Sequence, residues 1–312
     1  VCRVSIGGDV ANNTITAIPG IEVGHWTNAE AATGVTVVSF PEPNQAAVEV
    51  RGAAPGTRET ALLAPGMSVE TIQAIVFSGG SAFGLGAADG VMAELAAEGR
   101  GHPTPAGPVP IVPAAILFDL IVGEAVAPDA AAGAAAYKAR SGNPVTLGSV
   151  GAGTGATVSK WGGFESIRKS GIGSIAIEVG DVTVGALAAV NAVGDVVDLD
   201  GRWVTGGSWV PTPAEPAGSR ENTTLLVVAT DAAVPRADLF RVCVRAHDAL
   251  AATVRPAHTR YDGDIVFAVS CGDRRGDLDA LGEAAFAAVA GAVVGAVEAA
   301  TSLAGIPAAN DG

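Results

Sequence analysis

Short apolar runs closed by Gly, Pro or Asp recur along the chain and predict strands at residues 34–40, 74–78, 172–179, 182–190, 224–230 and 265–270. Several are apolar nearly throughout. A strand without a polar face is covered on both sides, so the sheets are expected to lie between other layers. Spacings of three and four predict helices over 84–98, 129–140, 235–255 and 277–303. In the third, Leu239, Val242, Ala246, Leu250 and Val254 fall on one stripe, with Pro235 near the start and Pro256 just past the end. The Ala/Gly-rich run 284–305 follows Glu283 and is interrupted by Glu298, which predicts a buried helix and not a membrane span. Strands and helices do not alternate strictly, so the chain reads as α+β in layers. Residues 101–113 and 211–222 are dense in Pro and Gly and read as loops. The 90 residues after Asn222 hold two strands and two helices, too thin a core to stand alone, and are expected to join the rest in one domain.

Composition adds limits to this picture. With 312 residues and 49% hydrophobic content the chain can bury a large core, and 42 glycines against 4% aromatic residues imply close backbone packing. A net charge of -14 excludes nucleic acid as a partner and disfavours an anionic membrane surface. Cys2, Cys243 and Cys271 are odd in number and lack metal or CxxC spacing, which fits a reduced, cytoplasmic compartment. No basic segment followed by an apolar one opens the chain.

The candidate chemistry is dispersed. Gly79-Gly-Ser-Ala-Phe-Gly-Leu-Gly-Ala-Ala-Asp-Gly90 sits where a strand turns into a helix, yet it has neither the GxGxxG nor the GxSxG frame. It reads as a tight turn, and no cofactor is expected. Only three lysines occur, Lys138, Lys160 and Lys169. Lys160 ends the glycine-rich stretch 151–163, either as a solvated residue of a surface loop or as a cation held beside a nucleophile. Asn191 closes an apolar strand, as a turn former or as an amide donor to an oxyanion. Asp262 and Asp264, two apart on an extended segment, point to one side. None of His25, His102, His247 and His258 shows ligand spacing, so no metal is expected. Glu221-Asn222-Thr223-Thr224 joins the Pro-rich loop to an apolar strand. Asn-Thr there is most often turn chemistry, but a cut before Thr223 would give one residue both a hydroxyl and a free amine, nucleophile and base together.

Jointly these residues resemble the L-aminopeptidase/D-esterase family of self-cleaving hydrolases, which includes β-peptidyl aminopeptidases and nylon-oligomer endohydrolases. The resemblance covers nearly the whole chain: Ile18-Pro-Gly-Ile-Glu-Val-Gly-His-Trp-Thr27, Gly52-Ala-Ala-Pro-Gly-Thr-Arg-Glu59, Ser78-Gly-Gly-Ser-Ala-Phe-Gly-Leu85, Val109-Pro-Ile-Val-Pro-Ala114, Val190-Asn-Ala-Val-Gly-Asp195, and Asn222-Thr-Thr followed by Val228-Ala-Thr-Asp231. It implies a four-layer α/β/β/α sandwich, a single domain made of fragments 1–222 and 223–312, and assembly as a homotetramer or larger. It also implies self-cleavage between Asn222 and Thr223, with Thr223 the nucleophile, Lys160 the active-site lysine, Asn191 the oxyanion donor, and Asp262 and Asp264 the orienting pair. The substrate implied is a small peptide or amide. Thr with Asp/Asp resembles the nylon-oligomer hydrolases more than the aminopeptidases with Ser and a Ser/Glu pair. Relatives often carry Tyr where this chain has Phe118, which removes a hydroxyl facing the substrate. An acyltransferase of the ornithine-acetyltransferase type and an uncleaved, non-catalytic ligand-binding relative are the alternatives.

Overall fold

The computed structural model describes residues 12–208 and 221–311. Two five-stranded sheets are built there from β1 (Glu22–Asn28), β2 (Thr33–Ser39), β3 (Gln45–Val50), β4 (Thr57–Arg58), β5 (Ala74–Ser78), β6 (Ala114–Ile116), β7 (Ile172–Val179), β8 (Val182–Asn191), β9 (Thr223–Ala232) and β10 (Ile265–Arg274). One sheet runs β1-β2-β5-β6-β4 and the other β3-β10-β9-β8-β7. Within them, β5 with β6 and β9 with β10 are the parallel pairs. Four helices accompany the sheets: α1 (Ala87–Ala97), α2 (Ala130–Lys138), α3 (Arg236–Thr253) and α4 (Leu278–Glu298).

Two-residue periodicity explains why the inner strands have no polar face. In β2, Val35 and Val37 pack with α1 and α2, while Val38 faces the second sheet. β9 sends Leu225, Val227 and Ala229 into the space between the sheets and Leu226 and Val228 onto α3 and α4. Phe77 of β5 and Phe267 of β10 meet across that space, ring centroids 6.2 Å apart. The result is four layers, helices, sheet, sheet, helices, as the resemblance implies. Burying each such Val, Leu or Phe contributes about 1.5–3 kcal/mol. Small residues set the helix spacing: a Cβ at Gly90 of α1 would overlap the Ala130 carbonyl, and one at Gly133 of α2 that of Ala87.

The predicted helices form with shifted ends. Residues 81–86 are a 3-10 turn, so α1 begins at Ala87 and not at 84. Asp129 and Asp277 cap α2 and α4, accepting from Ala132 N and Ala280 N at 3.0 and 2.9 Å. α3 stops at Thr253 because Val254–Arg255 pairs with Asp195–Val196. α4 stops at Glu298 and packs on β7, β8 and α3, as expected of a core helix. Sequence periodicity missed β1 and β3, and also the short strands β4 and β6. β1 has partly exposed positions at Glu22, His25, Trp26 and Asn28, and β3 is an edge strand that carries Gln45 and Glu49. Of the loop 211–222 only Glu221 and Asn222 are described, and Cys2 lies outside the described residues.

Candidate active site

β8 and β9 are antiparallel neighbours whose register sets Asn191 opposite Thr223 and Ala189 opposite Leu225. Ala189 and Leu225 face the space between the sheets, so alternation turns Asn191 and Thr223 to that same face and Thr224 to the α3/α4 side. Both residues stand at strand ends. The site therefore lies at one end of the sandwich, and the Phe118 carbonyl, just beyond β6 of the other sheet, accepts from Asn191 Nδ2 at 3.0 Å.

Asn222 and Thr223 are buried, and the peptide unit between them is held firmly. Asn222 N–H donates to Tyr261 O at 2.7 Å, and Asn222 O accepts from Gly263 N–H at 2.7 Å. Thr223 Oγ1 donates to the same Asn222 O at 2.5 Å. Two donors on one carbonyl oxygen draw electron density from its carbon, and one of them is itself a potential nucleophile. Gly263 permits this closeness: a Cβ there would stand 2.9 Å from Thr223 Oγ1 and 2.7 Å from Ala54 O.

Lys160 is buried, as is all of 151–160, so the surface-loop reading of that stretch is wrong. Burial follows from the segment's contacts with β1, β2, β7 and β8; its glycines let it thread between the layers. Lys160 Nζ donates to Asn191 Oδ1 at 2.9 Å and to Asn191 O at 3.1 Å. Burial pushes its pKa down to about 7, the charge of Lys169 adding to this and that of Asp262 opposing it. Thr157 N–H also donates to Asn191 Oδ1, at 3.0 Å. With its oxygen held by two donors, the amide of Asn191 has a fixed orientation.

The two carboxylates flank Gly263 but reach different elements. Asp262 accepts from Val193 N at 3.3 Å, from Thr259 N at 3.0 Å and from Thr259 Oγ1 at 2.6 Å. Burial, then the neighbouring Asp264 charge, push its pKa up to about 6. Asp264 accepts from Thr224 N at 2.8 Å and, on its other oxygen, from His258 N at 3.0 Å and His258 Nδ1 at 2.8 Å.

Three residues that sequence reasoning left aside belong to this framework. Lys169 Nζ donates to Thr154 O and Ala156 O, each at 2.7 Å. The second of these carbonyls shares its peptide unit with the Thr157 N–H that holds Asn191. Asp119, next to Phe118, accepts from Gly80 N at 2.7 Å and Thr33 Oγ1 at 2.8 Å. Burial lowers Lys169 to about 7 and raises Asp119 to about 6. Lys169 thus holds the peptide that fixes Asn191 Oδ1, and Asp119 adjoins the residue whose carbonyl takes Asn191 Nδ2. His258 is the third. The rarity of lysine was a usable signal for Lys169; Asp119 and His258 had none.

The α/β/β/α sandwich thus carries a buried hydroxyl at the head of an inner strand, opposite an amide and a buried amine. Among solved structures the chain is similar in fold to the L-aminopeptidase D-Ala-esterase/amidase of Ochrobactrum anthropi, a protein described as a variant of the Ntn-hydrolase fold (TM-score 0.76, 22% identity, covering 97% of this chain and 91% of that one). The chain belongs to peptidase family S58, whose family model matches residues 13–310. It is 42% identical to an uncharacterized aminopeptidase of Mycobacterium leprae (strain TN), over 95% of this chain and 92% of that protein. It is 29% identical to the 6-aminohexanoate-oligomer endohydrolase of Paenarthrobacter ureafaciens, over 81% of this chain and 73% of that protein. The protein is an amide or peptide hydrolase.

Proposed function

We propose that the chain cuts itself between Asn222 and Thr223 and that the freed Thr223 then hydrolyses amide bonds in short peptides or ω-amino-acid oligomers. The observation that carries this is the Thr223 hydroxyl 2.5 Å from the Asn222 carbonyl oxygen, with Gly263 N–H on that same oxygen. Oγ bonds to the carbonyl carbon, the carbon–nitrogen bond breaks, and the nitrogen takes the proton that Oγ gives up. Water then hydrolyses the ester, leaving an Asn222 carboxylate and restoring the hydroxyl. In the next phase the Thr223 amine is the base and Asn191 Nδ2 the oxyanion donor. Lys160 holds Asn191, and with its own pKa lowered to about 7 it is largely neutral where the Thr223 amine, of ordinary pKa about 7.7–8.0, takes up its proton. Asp264, through Thr224 N–H, and Asp262, through Val193 N–H, hold the ends of β9 and β8 that carry nucleophile and donor. The aminopeptidase and oligomer endohydrolase named among the relatives support this substrate class.

Intact-mass analysis of the purified, incubated protein tests the reading. Dividing 30.6 kDa in proportion to 222 and 90 of 312 residues predicts fragments of about 22 and 9 kDa. A chain that stays whole and shows no amidase activity overturns it.

Gly263→Ala gives a finer test. The added methyl meets Thr223 Oγ1 and the Ala54 carbonyl, so the hydroxyl must leave its place over the Asn222 carbonyl. Fragment appearance, followed by electrophoresis over time, is expected to slow about 10²-fold, the cost of roughly 1 Å of misplacement.

A further inference from the structure

We propose that His258 is a positioning residue for the nucleophile, clamping Asp264 so that this carboxylate holds the peptide unit between Thr223 and Thr224. The role rests on Thr223 being the nucleophile. His258 lies in the turn before β10 and has a left-handed backbone, φ 55°, which non-glycine residues seldom adopt. That conformation brings both its backbone N–H (3.0 Å) and its Nδ1 (2.8 Å) onto one oxygen of Asp264. The other oxygen accepts Thr224 N–H at 2.8 Å. One carboxylate therefore ties the turn to the peptide unit directly after the nucleophile. The pair is shielded, with side-chain exposures of 18% for His258 and 2% for Asp264.

Several titratable groups surround this pair. His247 of α3 meets the His258 ring edge-on, centroids 4.9 Å apart, and its Nε2 contacts Glu49 O of β3 at 3.1 Å. Burial holds His247 down to about 4, so it stays neutral. Arg51, just after β3, opposes a charge on His258, but it is itself engaged by Glu49 at 3.0 Å and Asp248 at 3.9 Å. Asp262 stands two residues from Asp264. Burial works against the His258 imidazolium, yet hydrogen bonding and charge from Asp264 outweigh it and hold its pKa above the ordinary value. A raised value means that the ion pair is intact at lower pH and is lost as pH rises through it.

His258→Ala, His258→Asn and the wild type, compared in processing and hydrolysis across pH and in an imidazole NMR titration, test the role. His258→Ala is expected to lower the self-cleavage rate and kcat about 10²-fold, with KM within about twofold. Asn tolerates left-handed backbone and presents an N–H donor in place of Nδ1, so His258→Asn recovers most of the rate. It also identifies the His258 resonance by its loss; that resonance titrates above the ordinary histidine value in the wild type and lower in Asp264→Asn. The ionisation it reports disappears from the alkaline limb of the hydrolysis profile in His258→Asn. A wild type that neither processes nor hydrolyses overturns the threonine reading and this role with it. A processed, active wild type overturns the role alone if His258→Ala matches it, if folded His258→Asn is as impaired as His258→Ala, or if the His258→Asn profile is unchanged.

Discussion

Thr223→Ala yields one uncut chain of 30.6 kDa, with hydrolysis reduced on the order of 10⁶-fold, the loss seen when a nucleophile is removed. Two losses combine. The hydroxyl poised 2.5 Å from the Asn222 carbonyl oxygen is gone, and without cleavage no free amine forms to act as base. The fold survives, because Ala at the head of β9 keeps the pairing with Asn191 and the bonds of Asn222 to Tyr261 and Gly263. Thr224→Ala separates the two threonines. Thr224 Oγ1 is buried without a hydrogen-bond partner, and what the residue supplies to Asp264 is a backbone N–H that Ala retains. Cleavage therefore continues at the same bond. If intact-mass analysis shows Thr224→Ala uncut and Thr223→Ala cut, the nucleophile has been misassigned.

The layered fold was legible in the chain because a continuous apolar run such as Leu225–Ala229 of β9 fits a strand buried on both faces. β1 and β3 were not legible, since polar side chains on partly exposed positions break the alternation that marks a strand. At the site, Asn191 and Thr223 could be singled out as polar residues at the ends of apolar runs, but their facing each other depends on the β8/β9 register, which no local pattern encodes. Lys160 stood out by rarity, while its burial came only from tertiary packing. The alternation that put Asp262 and Asp264 on one side of an extended segment did not say what each would hold. Their partners, Val193 and Thr259 for one, Thr224 and His258 for the other, come from three separate stretches, with His258 and Thr259 adjacent in one turn. His258 was discounted for lack of metal-ligand spacing, a criterion blind to a histidine that pairs with a carboxylate six residues away.

Lys160→Met is expected to separate activity from stability. The Asn191 amide loses one of the two donors that fix its oxygen. Removing support for an oxyanion donor predicts a kcat lower by about 10²–10³-fold. Stability moves the other way. Lys160 has a pKa of about 7 in the folded chain against 10.5 as a free side chain. Between those values the unfolded chain binds more protons, so wild-type stability rises with pH across the window and the whole penalty of a buried ammonium is felt below 7. Met fills the space without that penalty, and Asp262, already raised to about 6, takes up a proton when its cationic neighbour is removed. Thermal melting at pH 6 is therefore expected to place Lys160→Met at or above the wild type, and the difference narrows toward pH 10, with Lys169 retaining its own share of the pH dependence. A variant that melts well below the wild type at pH 6 would mean that Lys160 serves chiefly to hold the fold, and wild-type kcat in a stable variant would remove it from the catalytic apparatus.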